Sequence, residues 1–120
     1  MLIGLPPVGT SPQVTYLRSL GMKFIVEASF PLEPFNSYVR DGTIGEKIGE
    51  TLQALHPDVV YFTDLGVGRG ILMIVDLEDA SQAPHVTEPL MLTFNASVHY
   101  RVAMAPEELA SAGLEKYATG

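Results

Sequence analysis

Three ionisable side chains, Glu27, His99 and Arg101, are of the types that proton transfer and anion binding require. A carboxylate and an imidazole exchange protons readily, and a guanidinium holds an oxyanion through paired hydrogen bonds. Grouped around one cleft, they suit isomerisation or cyclisation of a small carbonyl or carboxylate compound, in which a base removes a proton beside an electron-withdrawing group. The competing interpretation is a structural cross-strand charge network at the edge of a sheet, which contributes little free energy.

Five further side chains complete the predicted site as ligand-binding residues: Ser29, Tyr38, Tyr61, Asn95 and Ser97. Tyr38 lies just before a glycine break in a predicted helix, where a loop forms the mouth of a pocket. Tyr61 lies on a predicted strand. Both tyrosines also suit partly buried core positions, which is the alternative for each.

The sequence offers little to a metal or a prosthetic group. It contains no cysteine, which excludes zinc–thiolate sites, iron–sulfur clusters and cysteine nucleophiles. The histidines His56, His85 and His99 fall in different predicted elements, without the short spacing of a metal-binding pair. We expect no metal and no cofactor. A haem would need one axial histidine, for which His85 is the nominal candidate.

The elements that position these side chains begin with a strand. Residues 23–30, KFIVEASF, alternate apolar and polar up to Pro31, with Ile25 as the exception, which predicts a strand with Glu27 and Ser29 on one face. A helix follows, kinked near Asp41 and Gly42, and it ends before Pro57. Its apolar positions have helical spacing and include Ile44, Ile48, Leu52 and Leu55.

The second half begins with two β-rich runs, DVVYFTD and RGILMIVD, which the glycine-rich link LGVG joins into a hairpin. Asp79 then caps a short helix, and two prolines limit its regularity. The last predicted strand covers residues 93–104 and places Asn95, Ser97, His99 and Arg101 on one face. Pro106 begins a terminal helix.

The order β-α-β-β-α-β predicts an α+β fold of the ferredoxin-like type, with an antiparallel sheet whose first and third strands are central. Both helices then cover one face of the sheet. The first and last strands are neighbours, which brings Glu27 close to His99 and Arg101. The prediction depends on register, since a slip of one residue reverses every facing assignment.

The third strand predicts a homodimer. Its run Ile71–Val75 is apolar at both parities, which is typical of a strand covered on both faces. Because one chain has helices for only one face, we expect two sheets to pack face to face in a homodimer. In the alternative, the N-terminal extension, residues 1–21, folds back over its own sheet. Residues 22–120 are predicted to form a single domain.

Composition excludes several classes of partner. The formal net charge is −7, and the cations are dispersed along the chain, so nucleic-acid binding is not expected. The longest apolar run is far below the roughly 20 residues that cross a bilayer, so no membrane association is expected. The N-terminus lacks the cationic region of a signal peptide, which favours a cytoplasmic location.

Two stretches carry a family resemblance. Residues 70–104, GILMIVDLEDASQAPHVTEPLMLTFNASVHYRVAM, combine a strand ending in Val-Asp, a helix, a Pro-Leu step and a strand ending in Met. Together with residues 22–43, MKFIVEASFPLEPFNSYVRDGT, they resemble dimeric α+β-barrel proteins, including muconolactone isomerases and small bacterial relatives. The resemblance covers residues 22–114 and implies the fold and the dimer. It does not imply one reaction, since the superfamily includes isomerases, cofactor-free oxygenases, haem proteins and members with no known reaction.

We therefore expect a homodimer that binds a small organic molecule in an apolar cavity of each subunit. The leading hypothesis is cofactor-independent isomerisation or cyclisation by proton transfer. One alternative is a non-catalytic dimeric module for ligand binding or interaction. The other is a cofactor-free or haem-dependent monooxygenase of the same fold.

Overall fold

The computed structural model describes residues 21–119, in which four strands form one antiparallel sheet. The strands are β1 (Met22–Ser29), β2 (Val59–Thr63), β3 (Gly70–Leu77) and β4 (Ser97–Ala103). Their order across the sheet is β2-β3-β1-β4, so β1 and β3 are the inner strands. The predicted α+β class and the antiparallel sheet are confirmed. The predicted arm lies, apart from Gly21, outside the described residues.

Three helices form the second layer: α1 (Leu32–Asp41), α2 (Ile44–Leu55) and α3 (Ala83–Phe94). The predicted break between α1 and α2 is confirmed at Gly42, which has φ 82°, a left-handed conformation that glycine adopts without steric cost. A single turn of 3₁₀ helix, Ala80–Gln82, precedes α3. The short helix α4 (Pro106–Ala110) and a 3₁₀ turn, Leu114–Tyr117, follow β4.

The core lies between the sheet and the three long helices. On β1, burial alternates strictly, with Phe24, Val26 and Ala28 buried and the residues between them only partly buried. This alternation confirms the predicted facing of β1. The other buried apolar side chains come from β3 and α3 and from the adjoining residues, and are Phe30, Ile71, Met73, Val75, Leu77, Ala83, Val86, Leu90, Phe94 and Ala96.

The start of the last strand differs from the prediction. Strand β4 begins at Ser97, not at residue 93, because α3 continues through Phe94. The helix persists because Val86, Leu90 and Phe94 recur at steps of four and are all buried, which holds its last turn on the sheet. Asn95 then ends α3 in a left-handed conformation, with φ 57°.

Two local predictions are confirmed. The Asp79 carboxylate caps the turn before α3, since it accepts a hydrogen bond from the Ser81 amide at 2.8 Å. Strands β2 and β3 form the predicted hairpin. Its loop is held by Asp64, which accepts hydrogen bonds from the amides of Gly66 and Gly68 at 2.7 and 2.9 Å. These bonds, that from Gly68 first, lower the pKa of Asp64 from its ordinary value.

Among residues 21–119, none of the helices combines the length and hydrophobicity that crossing a membrane requires.

Candidate functional site

The sheet has a second face, opposite the helices, which we call the open face. Its residues are given by strand parity and register: Lys23, Ile25, Glu27 and Ser29 on β1; Gly70, Leu72, Ile74 and Asp76 on β3; Val59, Tyr61 and Thr63 on β2; and Ser97, His99, Arg101 and Ala103 on β4. No side chain of this set belongs to the buried apolar core. The side chains of the open face are therefore available to a ligand or to another molecule.

The predicted pairing of the first and last strands is confirmed. Strands β1 and β4 are antiparallel neighbours, with Glu27 directly opposite His99. Arg101 lies one pair further along β4, opposite Ile25. The open face thus brings the three predicted catalytic side chains together on two adjacent strands.

Glu27 and Arg101 form a direct contact. The guanidinium Nη1 of Arg101 donates to the Glu27 Oε1 at 3.2 Å. The Arg101 side chain remains 57% exposed and that of Glu27 29%. His99 is exposed and, within residues 21–119, its side chain forms no hydrogen bond or ion pair. The arrangement supplies one free imidazole beside a carboxylate–guanidinium pair, so a proton acceptor and an anion-binding group lie on the same surface.

Three of the predicted ligand-binding residues lie on the open face as well. Ser29 and Ser97 are opposite each other on β1 and β4, next to the pair formed by Glu27 and His99. Tyr61 lies on the outer strand β2 and is 67% exposed. The other two do not join this group. Tyr38 is on the helix side, where its hydroxyl donates to the Thr93 carbonyl at 2.7 Å.

Asn95 is also separate from the site, because it caps α3 instead of lying on β4. Its amide donates to the Met91 carbonyl at 2.9 Å. The prediction that Asn95 continues the polar face of the last strand is therefore wrong. The prediction that Tyr38 lies at the mouth of a pocket is also wrong, because its position along the helix does not show which neighbours its side chain contacts. The Tyr38 ring packs edge-on against Phe94 in the core, with centroids 6.1 Å apart.

The open face also has an apolar part, which the sequence analysis did not assign to the site. Leu72 lies between Tyr61 and Glu27 in one cross-sheet row, and Ile74 lies between Val59 and Ile25 in the next. The signal for these residues was the two-sided apolar run of β3, which was used to predict dimerisation only.

Leu65, in the hairpin loop, extends the apolar surface. A Cβ atom on Gly70 would lie 2.8 Å from the Leu65 Cγ, so the Leu65 side chain lies over this glycine. Because Gly70 is paired with Ser29 and Thr63, Leu65 lies on the open face beside them. The absence of a side chain at residue 70 lets the loop close over the sheet.

One end of the open face holds a second charged group that the sequence did not indicate. The Lys23 ammonium lies 2.6 Å from the Asp58 Oδ2 and 2.9 Å from the Asp76 Oδ1. The hydrogen bond to Asp58, followed by that to Asp76, raises the pKa of Lys23 above its ordinary value. These three residues are distant along the chain, and the pairing of the strands brings them together.

A shallow apolar pocket lies on the other side of the sheet, between α2 and the β2 edge. It is lined by Phe30, Ile48, Thr51, Leu52, Phe62, Ile71, Leu90 and Phe94. It contains no ionisable group, so we do not place chemistry there. Within residues 21–119 there is no cluster of three or more His, Asp or Glu side chains that could hold a metal ion. His85, the nominal haem ligand, is exposed on α3.

Chemically, the open face can hold an anionic oxygen at Arg101 and exchange a proton at His99 or Glu27. Comparisons with protein-family models, with curated proteins and with solved structures found no match.

Proposed function

We propose that this chain is a homodimeric protein that binds a small carbonyl or carboxylate compound and isomerises or cyclises it by proton transfer without a cofactor. The observation that supports this proposal is the grouping of Glu27, His99 and Arg101 on the open face. All three long helices of the described residues pack against the opposite face.

We also propose that the fold is ferredoxin-like and that it assembles as a dimeric α+β barrel. The strand order supports the first part, since the inner strands are the first and third in sequence. Helices α1 and α2 together occupy the place of the first helix. The resemblance of residues 22–114 to dimeric α+β-barrel proteins supports the second part.

The open face itself supports the dimer. Ile25, Leu72 and Ile74 are only partly buried, although they are large and apolar. Sheets that pack face to face lie about 10 Å apart, a spacing that lets such side chains interdigitate and leave water. A second copy offers the same apolar surface, so a two-fold pairing covers both. It also encloses the polar residues of β1 and β4, which gives each subunit a cavity.

The proposed mechanism assigns one role to each ionisable side chain. The His99 imidazole accepts the proton from the carbon beside the substrate carbonyl. Arg101 hydrogen-bonds to the oxygen on which negative charge develops, and so stabilises the enolate. Glu27 orients the guanidinium through the contact at 3.2 Å and stabilises the imidazolium directly across the strands. The proton returns to another carbon of the same molecule, so no oxidant or reductant is needed.

Native mass spectrometry of the freshly purified full chain tests the assembly and the ligand together. We expect a dimer that carries an added non-covalent mass, which identifies the ligand. A monomer at micromolar concentration contradicts the dimer and the enclosed site that depends on it.

Variants test the catalytic assignment once the ligand is identified. We expect His99→Gln to abolish turnover and Arg101→Gln to reduce it at least tenfold, with the dimer retained in both. His85→Gln is the matched control, because His85 is an exposed histidine on α3, away from the open face. If both site variants keep full turnover, the assignment is wrong.

A non-catalytic module is the second candidate function. The observation that favours it is the contact between Glu27 and Arg101, which fits an ordinary cross-strand ion pair. For this function we expect a dimer in native mass spectra that retains no small molecule.

A further inference from the structure

The open face is polar at one side and apolar at the other, and the two sides lie in a single cross-sheet row. The row runs from His99 on β4 through Glu27 and Leu72 to Tyr61 on β2. We propose that the ligand is an amphipathic carboxylate: its carboxylate binds Arg101, which lies one pair along β4 from this row, beside the carbonyl oxygen assigned to the same guanidinium, and its apolar body lies across Leu72 towards Tyr61. This inference rests on the proposed function and specifies the chemistry of its substrate.

The polar side favours an anion. The Arg101 side chain is 57% exposed and uses one contact, to Glu27, within residues 21–119. A guanidinium has five N–H donors arranged as a fork that matches a carboxylate, so most of its donors are available to a ligand. His99 adds a second nitrogen group in the adjacent position. A carboxylate that binds here therefore meets the guanidinium and the imidazole, and it lies beside the Glu27 carboxylate that already accepts from Arg101.

The other acidic groups of the open face do not oppose this anion. Asp58 and Asp76 lie at the far end of the strands, where both contact the Lys23 ammonium. In register, Lys23 and Asp76 form the pair at the opposite end of β1 from Ser29. The positive charge that an anionic ligand requires is thus supplied on β4, by Arg101.

The apolar side begins one strand away from Glu27. Leu72 is directly opposite Glu27 on β3, and Tyr61 is directly opposite Leu72 on β2. Leu65 borders them, since it lies over Gly70. The Tyr61 ring is 67% exposed, which leaves its face free to contact an apolar chain or ring. Sites for small ligands have this composition, with an apolar lining and few polar groups that fix orientation.

The row also sets the length of the ligand. His99 and Tyr61 are separated by three strand spacings, or about 14 Å. A medium-length alkyl or aryl chain reaches this far, whereas acetate occupies only the polar side. Affinity should therefore rise with chain length until the ligand reaches Tyr61, and then stop rising.

Calorimetric titration of the full chain with acetate, pentanoate and nonanoate, and with pentanol and nonanol, tests the inference. Each buried methylene contributes about 0.8 kcal/mol, or about fourfold in affinity. Because burial of the chain is incomplete, we expect nonanoate to bind at least tenfold more tightly than pentanoate. Nonanol, which lacks the charge, should bind at least tenfold more weakly than nonanoate.

Two variants separate the two sides of the row. Arg101→Gln should lower the affinity for nonanoate to that for nonanol, and Tyr61→Ala should weaken nonanoate at least threefold without changing acetate. Leu92→Ala is the matched control for Tyr61→Ala, because Leu92 is 80% exposed on α3, outside the open face. We expect it to leave every affinity unchanged.

Failure of this inference can be distinguished from failure of the proposed function. Carboxylate binding that requires Arg101 but does not depend on chain length overturns the amphipathic ligand and leaves the small-molecule site in place. Equal binding of nonanol and nonanoate overturns the carboxylate anchor. If no carboxylate binds and native mass spectra show a dimer with no retained mass, the small-molecule function itself is contradicted.

Discussion

Lys23 and Arg101 are both cations of the open face, but their surroundings differ in a way that separates structure from function. The Lys23 ammonium contacts two carboxylates, at 2.6 Å and 2.9 Å. Lys23 also donates a hydrogen bond to the Asp76 Oδ2 at 3.0 Å, whereas the nearby Oδ1 is buried and accepts no hydrogen bond. Arg101 has one carboxylate partner, at a longer 3.2 Å. The Lys23 charge is therefore committed to the fold, whereas Arg101 retains donors for a ligand.

The Lys23 cluster predicts a loss of stability at alkaline pH. Its hydrogen bonds, that to Asp58 first, raise the pKa of Lys23 above its ordinary value of 10.5. The folded state thus binds this proton more tightly than the unfolded chain, and the stabilisation is complete below pH 10.5 and is lost as the pH rises through the higher folded pKa. Because the side chain is 37% exposed, solvent screens the interaction, and we expect about 1 kcal/mol at most.

Urea unfolding at a series of pH values above neutrality measures this effect. The difference in unfolding free energy between the wild type and Lys23→Met should be about 1 kcal/mol at neutral pH and should shrink in the alkaline range. Lys116→Met is the control, since Lys116 forms no ion pair within residues 21–119. A difference for Lys23→Met that stays constant with pH would show that its packing, not its charge, contributes the stability.

At the scale of elements, the strands were predicted well because each has a simple pattern and a clear end. The alternation of β1 predicted its facing, and the β-α-β-β-α-β order predicted its pairing with the last strand, where Glu27 lies opposite His99. The junction of α3 and β4 was misread because two apolar patterns join without a gap. The helical stripe ends at Phe94, and the alternating stripe starts at Ala96, two residues later. Asn95 between them was the available stop signal.

The site residues on strands were easier to predict than those on helices and loops. Residues on strands were placed correctly once the pairing was known, because side chains alternate strictly between the two faces of a sheet. Tyr38 was not, because a helical pattern shows which side is apolar but not which face of the sheet that side covers. The Lys23 cluster depends on the pairing of β1 with β3 and on a loop residue, Asp58, so no local pattern reports it.

Two glycines of different elements predict opposite effects of the same substitution. At Gly70, a Cβ atom would lie 2.9 Å from the Thr63 carbonyl oxygen and 2.8 Å from Leu65, so Gly70→Ala forces the hairpin loop to move. We expect it to lower the unfolding free energy by about 1–3 kcal/mol. Gly49 lies on the exposed side of α2 with open space around it, and Gly49→Ala should raise the unfolding free energy by about 0.5–1 kcal/mol.

Denaturant unfolding of both variants checks this pair. Each variant serves as the control for the other, since the chemical change is identical and only the surroundings differ. Equal effects would mean that glycine flexibility in the unfolded chain dominates, and that Leu65 is not closely packed over β3.

At the scale of the whole molecule, the two faces of the sheet are covered unequally. Helices α1, α2 and α3 of the described residues all pack on one face of the sheet, and the segment after β4 adds no buried residue. The open face retains partly exposed Ile25, Leu72 and Ile74, together with the largely exposed Tyr61. Surfaces of this kind usually bind another molecule. In the proposed dimer, a second copy of the chain covers this face and leaves the helices free, which connects the proposed assembly to the proposed site.

A charge placed at the centre of the open face tests this assembly. Ile74 lies on the inner strand β3, between Val59 and Ile25, so in the proposed dimer Ile74→Glu puts a buried like charge on each of the two facing sheets. We expect this variant to sediment as a folded monomer, while Leu92→Glu, with the same change at a side chain that is 80% exposed on α3, remains dimeric. Circular dichroism of both variants establishes that the fold is kept.

The same measurement, extended to a variant that lacks residues 1–20, decides between a partner chain and the N-terminal segment as the cover of the open face. If the wild type is a dimer and only Ile74→Glu dissociates, the face is an interface between two copies. If the wild type is already monomeric, and removal of residues 1–20 makes it associate, the segment covers the face within one chain. In the second case the ligand site lies beneath that segment. His99 and Arg101 then keep their proposed roles in a site that a single chain encloses.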